Sequence, residues 1–351
     1  MRGALMNTFD FGKTGLKATA VSFGALPVQR CNMDDGIKLL RQAYDGGIRF
    51  FDTARAYTDS EEKIGRALAD VRHDIVITSK SPANNGADYM KDLETSLKML
   101  KTDYIDVYQF HNKPFTIAPG GEDGLYDAAV KARQQGKIRF IGTTQHSLKL
   151  ANEAVDSGNF DSLQFPFSYL ASEDDLKLVD KCLASGMGFI AMKALSGGLL
   201  TNARAIHAFM RAHPGVVPIY GIQRPEELEQ FLAAEAEGVE LNDELCAIIE
   251  KDRRELTGSF CRGCGYCMPC PAGIPLNNAS RLIQLLTRSP IKGWMTPEFK
   301  EQMERVENCT HCGVCATRCP YHLKPYELIP ESLKFYRKLY AEYTAQQKEG
   351  N

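Results

Sequence analysis

No stretch of this 351-residue sequence approaches the roughly 18 consecutive apolar residues of a membrane span, and its longest apolar runs are short and strand-like. The opening, MRGALMNTFDFGKTG, has no apolar run of signal-peptide length. Export to an oxidising compartment is therefore not expected, and the thiols of a cytoplasmic protein stay reduced. No sign of charge prevails either: 42 Lys and Arg stand against 44 Asp and Glu, a net charge of −2. Such a balance leaves no basic footprint for nucleic acid and no reason to expect a membrane partner. Tryptophan is almost missing, with Trp294 alone. Cysteine is the exception. Of 11 cysteines, all but Cys31, Cys182 and Cys246 fall in two tight groups near the C-terminus. In a reducing compartment that clustering reads as metal or cluster ligation before it reads as disulfides.

The length suits one large α/β domain with an appendage, or two ordinary domains. After a glycine-containing hairpin around Phe9–Leu16, strand-like runs alternate with segments of helical periodicity. The strands are expected at Val21–Leu26, Ile48–Asp52, Asp74–Lys80, Tyr104–His111, Ile138–Thr144, Ser162–Ser168, Gly188–Lys193 and Val216–Gly221. The intervening helices are expected at Asp35–Gly46, Ser60–Ala69, Ala87–Lys101, Leu125–Gln135, Leu148–Ser157, Glu173–Ser185, Arg204–His213 and Pro225–Ala234. Eight such units fit a closed parallel (β/α)8 TIM barrel. A doubly wound open sheet is the competitor, but no G-x-G-x-x-G follows the first strand. A further helix at Glu244–Arg254 would complete a barrel domain over 1–256. The cysteine groups occupy 257–330, with a helical segment between them broken near Pro290 and Pro297, and 331–351 reads as a C-terminal helix and tail.

Barrel enzymes place their chemistry at the C-terminal ends of the strands, so polar residues at those ends are the ones to weigh. Asp52 ends the second strand, Lys80 the third and His111 the fourth, and Tyr57 follows Asp52 by five residues. Together with the run Phe51–Leu68 (FDTARAYTDSEEKIGRAL), the run Gly136–Gly142 (GKIRFIG) and Gln164, these residues resemble the aldo-keto reductase family. The resemblance implies a (β/α)8 barrel over roughly residues 7–256. It also implies a tetrad of Asp52, Tyr57, Lys80 and His111. The chemistry suits these residue types. Reducing a carbonyl takes a hydride donor and an acid, and a tyrosine of pKa about 10 needs help to act as that acid. The Lys80 ammonium would lower the phenol's pKa, Asp52 would hold the lysine, and His111 would bond the substrate oxygen.

The same resemblance implies a nicotinamide cofactor, with Thr144, Gln145 and Gln164 where the family binds the carboxamide. The family commonly has Ser-Asn in place of Thr144-Gln145, and often an aromatic residue to stack on the ring where Met192 stands. Arg224 is the one cation near the expected adenosine phosphate, and it reads as a phosphate contact or as a solvated loop charge. The reading leans to NADPH over NADH.

The cysteine groups are CRGCGYCMPCP, with Cys261, Cys264, Cys267 and Cys270, and CTHCGVCATRCP, with Cys309, Cys312, Cys315 and Cys319. The second is the bacterial ferredoxin run C-x2-C-x2-C-x3-C-P, in which the fourth cysteine serves the other cluster. By that rule Cys261, Cys264 and Cys267 with Cys319 hold one 4Fe-4S cluster, and Cys309, Cys312 and Cys315 with Cys270 hold the second. The first group has two residues, not three, before its last cysteine, so its pairing could differ. Zinc is the alternative metal. His311 and His322 lie close by but are not needed as ligands, because the cysteines fill the count.

A barrel followed by such a small α-helical ferredoxin-like module resembles the iron-sulfur branch of the aldo-keto reductases. Nicotinamide gives up two electrons as hydride, whereas each cluster takes one. A flavin, which nothing in the sequence indicates, or an external carrier could couple them; the substrate could accept single electrons; or the clusters could serve structure or sensing. Two functions stay open. One is a nicotinamide-dependent reductase of a small carbonyl or similarly activated molecule. The other is an electron-transfer subunit, passing electrons to a partner protein, whose barrel binds a cofactor or that partner.

Overall fold

The computed structural model describes residues 6–198, 200–256, 261, 265, 267–288, 291–319 and 321–349. The chain forms two compact units, Met1–Lys251 and Asp252–Asn351.

The first unit opens with an antiparallel hairpin, β1 (Thr8–Asp10) and β2 (Lys17–Thr19). At its turn Gly12 has φ +55°, and a Cβ there would sit 2.5 Å from the backbone nitrogen of Gly188. Only glycine allows so close an approach. Phe11 is thereby driven fully into an apolar cluster with Phe50, Val76, Val107, Ile190, Val217 and Ile219. The hairpin residues thus pack on side chains from the barrel's own strands.

Among the described residues eight parallel strands close the barrel: β3 (Ser22–Gly24), β4 (Phe50–Asp52), β5 (Val76–Ser81), β6 (Ile105–His111), β7 (Ile138–Thr144), β8 (Ser162–Pro166), β9 (Gly188–Met192) and β10 (Val216–Gly221), with β10 returning to β3. Between and after them run α1 (Met33–Asp45), α2 (Ser60–Leu68), α3 (Gly86–Leu100), α4 (Leu125–Gln134), α5 (Leu148–Ser157), α6 (Glu173–Ala184), α7 (Ala203–Arg211) and α8 (Pro225–Ala236). The side chains of Asn32, Asn85, Ser147, Ser172 and Asn202 each accept an N–H bond at the start of α1, α3, α5, α6 and α7. These caps satisfy donors that the helices would otherwise leave open. The expected elements are all present. The first strand is shorter than Val21–Leu26, because Pro27 opens a 3-10 turn at Pro27–Arg30. Register places Asp52 beside Thr78, Lys80 beside Gln109, and His111 beside Thr144, which in turn faces Gln164.

Helix α9 (Asp243–Leu256) carries the division between the units. The second unit is helical: α10 (Leu276–Ala279), α11 (Leu282–Arg288), α12 (Pro297–Glu304), α13 (Val314–Thr317) and α14 (Pro325–Glu349). Its core joins Ile274, Leu282, Leu286, Phe299 and Met303 to Ile329, Leu333 and Tyr336 of α14. Tyr336 donates to the Trp294 carbonyl at 2.8 Å, and Arg337 pairs with Glu304 and Glu307. The division expected at 331 is therefore corrected. The last helix starts at Pro325, runs through Pro330, and belongs to the cysteine unit because it supplies one wall of that unit's core.

Candidate active site and cysteine centre

The ends of β4, β5 and β6 bring the expected tetrad together. The Lys80 ammonium, 1% exposed, lies 2.7 Å from Asp52 Oδ2 and donates to the Thr53 carbonyl at 2.6 Å. Asp52, 2% exposed, also accepts from Thr78 Oγ1 at 2.6 Å and Gln164 Nε2 at 3.5 Å. Lys80 Nζ stands 5.1 Å from the centre of the half-buried Tyr57 ring, whose edge meets His111 at 5.8 Å between centroids. Two expected-site neighbours, Thr78 and Gln109, were not singled out from the sequence. Each lies two residues before a tetrad member on the same strand and hence on the same face, a periodicity that could have found them.

The electrostatics differ from expectation at Tyr57. Burial lifts its phenol above the ordinary tyrosine value; the charge and hydrogen bond of Lys80 pull it down, and the Asp52 charge pushes it up. Lys80 acts in the expected direction, but desolvation is the larger effect and leaves the phenol above its ordinary value, a protonated donor at neutral pH. Burial also pulls the Lys80 ammonium down, but Asp52 and Tyr57 outweigh it and leave it raised. His111 is pushed down to about 3 by burial and by the charges of Lys80 and Lys113. It is a neutral imidazole at pH 7, able to donate one N–H to an oxygen.

The expected nicotinamide contacts are arranged unequally. Thr144 Oγ1 accepts the Asn112 N–H at 2.8 Å, and Gln164 Oε1 accepts from Gln109 Nε2 at 2.9 Å, so both are already engaged. Gln145 Nε2 donates to the Lys113 carbonyl at 3.1 Å. A carbonyl only accepts, so the amide's orientation is set, and its Oε1 is buried with no hydrogen-bond partner among the described residues. Met192 ends β9 half-buried against the barrel's apolar cluster. Arg224 stands at the start of α8 with its guanidinium bonded to Glu227 at 2.8 Å.

In the second unit Cys261, Cys267 and Cys315 are buried, Cys270, Cys309 and Cys319 half-buried, and Cys312 exposed. Cys264 lies outside the described residues. Cys267, Cys270, Cys309, Cys312 and Cys315 line one hollow together with Ile274 and Tyr326. Neither His311 nor His322 lines it. Burial pushes the Cys315 thiol up, while N–H groups of Tyr326 and Ala316 aimed at its sulfur draw it down, as suits a sulfur that carries charge. Gly313, at φ +74°, makes the turn that starts α13 between Cys312 and Cys315. No three His, Cys, Asp or Glu side chains among the described residues converge on one ion position. Thiols spread around a hollow suit a cubane, whose ligands sit on separate irons. Of the other thiols, Cys182 is buried and pushed up to about 12 by desolvation, Cys246 is exposed, and Cys31 is half-buried.

The first unit is thus a parallel barrel with a polar tetrad at its strand ends, and the second is a helical unit with a cysteine-lined hollow. The sequence pattern described as the aldo/keto reductase family matches residues 20–213, more than half of the chain, and the chain belongs to that family. A pattern described as a 4Fe-4S dicluster domain matches residues 260–324. L-galactose dehydrogenase of Arabidopsis thaliana is 32% identical over 210 residues, which are 54% of this chain and 66% of that protein. The chain thus spans just under two thirds of that relative's length. The holo form of an aldo-keto reductase from Bacillus halodurans superposes with a TM-score of 0.62 at 20% identity, over 70% of this chain and 96% of that one. An aldo-keto reductase from Klebsiella pneumoniae in complex with NADPH gives 0.58 at 23%, over 71% and 95%. Both show the barrel fold.

Because burial and the charges of Lys80 and Lys113 push His111 down to about 3, its ring proton resonances are expected to show no titration step near pH 6.5. A step there that disappears in His111→Gln would contradict a neutral His111.

Proposed function

We propose that the protein reduces a small carbonyl compound with NAD(P)H at the barrel mouth and carries two 4Fe-4S clusters that exchange single electrons with an external carrier. The observation that carries the reading is the buried Asp52–Lys80 pair set beneath Tyr57 and His111. A bound nicotinamide would supply the hydride. His111 holds the carbonyl oxygen with a neutral N–H, and Tyr57 delivers its proton to the alkoxide as the hydride arrives. The Lys80 ammonium stabilises the phenolate left behind, so the acid's strength rises only when charge develops. Carbonyl, hydride and proton balance to an alcohol.

The residues fit the cofactor at one specific atom. Gln145 Oε1, a buried acceptor without a donor among the described residues, suits the amino group of a carboxamide, and an unmet acceptor costs about 1–3 kcal/mol. NADPH is favoured by the bound cofactor of the Klebsiella relative. A 2′-phosphate at Arg224 would have to displace Glu227 from its guanidinium.

For the clusters, Cys267 and Cys270 of the first group line one hollow with Cys309, Cys312 and Cys315, and of these the crossed assignment takes Cys270 as the fourth ligand of the later group. Cys261, Cys264, Cys267 and Cys319 are then left for the other cluster. The dicluster match favours a second reading, an electron-transfer subunit whose barrel only binds.

Two experiments test these assignments on anaerobically purified full chain. Tyr57→Phe is expected to lower carbonyl turnover about 10²–10⁴-fold while NADPH binding stays within twofold. Turnover within a few-fold of wild type would remove Tyr57 from the mechanism and leave the binding-only reading. Cys270→Ser and Cys309→Ser are each expected to lose one cluster's iron and sulfide, and the double variant no more than either alone. Additive loss would show that these two cysteines serve different clusters.

A further inference from the structure

Lys63 lies on α2, away from the tetrad, and none of the steps above uses it. Its side chain is fully buried. Its ammonium meets three oxygens: the carbonyls of Val28 at 3.0 Å and Cys31 at 2.7 Å, and Asp59 Oδ1 at 2.9 Å. The first two belong to the loop after β3 and the third to the loop after β4, so one cation ties two loops of the barrel mouth together. Neighbouring helix α1 makes room for it. A Cβ on Gly36 would stand 2.8 Å from Lys63 Cδ and 3.1 Å from Val28 Cγ1. A glycine in a helix interior is unfavourable, and here it clears the path of the lysine stem.

Asp59 is two residues from Tyr57, and the residue between them is strained. Thr58 has φ +40°, a region that a β-branched residue avoids. Such a conformation persists only where its surroundings hold it. Around Thr58 the chain is held by the Tyr57 N–H to Ala54 and the Ser60 N–H to Tyr57, while Thr58 Oγ1 lies 3.4 Å from Gln29 of the β3 loop and from Asp59 Oδ1. The Lys63–Asp59 bond is the charged contact in that set.

We propose that Lys63 is a positioning residue for the reaction: through Asp59 it holds the strained Thr58 turn so that the Tyr57 hydroxyl stays directed at Lys80 and the substrate oxygen. This rests on reading Tyr57 as the acid. Without the clamp, Thr58 relaxes toward negative φ and the tyrosine swings off its line of proton delivery. The nicotinamide contacts proposed at Thr144, Gln145, Gln164 and Met192, on or just after β7, β8 and β9, are left as they were.

The test uses the anaerobically purified full chain with 4-nitrobenzaldehyde as the carbonyl probe and NADPH as donor. In Lys63→Met, kcat is expected to fall on the order of 10–10²-fold, while the NADPH dissociation constant by nicotinamide fluorescence and KM for the probe stay within twofold. Hydrogen exchange at the Tyr57 and Ser60 amides should quicken. Thr58→Gly, for which positive φ carries no penalty, should restore the Lys63→Met variant to within about threefold of Thr58→Gly alone. Wild-type kcat in Lys63→Met overturns the proposal. So does a loss that extends to NADPH binding or that Thr58→Gly does not rescue, because Lys63 would then serve the fold at large. Should Lys63→Met fail to fold, Asp59→Ala carries the test. It keeps the Val28 and Cys31 bonds of Lys63 and should reproduce the loss of kcat; full kcat there overturns the proposal. Tyr57→Phe run in parallel separates the two readings: if that variant is active, the acid assignment has failed, and the exchange rates alone then judge the clamp.

Discussion

An ammonium and a carboxylate taken out of water and set against each other at the mouth of a barrel impose a demand on everything around them. Each ion costs several kcal/mol to desolvate, and mutual attraction repays that only if the remaining donors and acceptors are met. Lys80 and Asp52 meet the condition. The lysine adds the Thr53 carbonyl to its partner, and the aspartate adds Thr78 and Gln164. Such a pair gives little net stability compared with apolar packing, and removing one member would leave a buried charge at a cost of about 3–5 kcal/mol. What the pair supplies is a fixed positive charge beside Tyr57, in surroundings dry enough for that charge to matter.

The rest of the barrel keeps that site in place. Phe11, wedged in by a glycine-only approach at Gly12, packs with apolar side chains of the strands, while polar groups gather at the strand ends. The β4, β5 and β6 ladders line Asp52, Lys80 and His111 on successive strands, so no long-range adjustment is needed to assemble them. The opposing effects on Tyr57 then have a simple reading. In the acid role proposed for Tyr57, burial would keep the proton on the phenol before reaction, and Lys80 would lower the cost of losing it during reaction. A phenol already ionised at pH 7 could not act as an acid.

Much of this was legible in the sequence because it is local. Asp52, Lys80 and His111 each end an alternating strand, and Tyr57 sits at fixed spacing from the first. The eight helices follow from periodicity. The cysteine grouping needs only counting, whereas the hollow that takes in both Cys267 and Cys270 beside the later group is a matter of three-dimensional packing. What the sequence hid is either three-dimensional or a balance of terms. The direction of the Tyr57 shift depends on how much water burial removes, which no motif states. The bond from Gln145 to the Lys113 carbonyl, and the Glu227 grip on Arg224, depend on rotamers. Pro330 looked like a helix boundary by its chemistry, yet Ile329, Leu333 and Tyr336 have a common core to fill and the helix runs through it. Lys63 looked like one more charge on a helix until its three acceptors were in place.

The central claim is that Tyr57 is a neutral acid whose proton affinity is raised by burial and moderated by Lys80. Protein labelled with 13C at tyrosine Cζ tests it most directly, with the Tyr57 resonance identified by its loss in Tyr57→Phe and titrated in wild type and in Lys80→Met. The account predicts ionisation above the ordinary value of about 10 in wild type, and higher still once the ammonium is gone. Ionisation below about 10 in wild type, or a lower value in Lys80→Met, would contradict it.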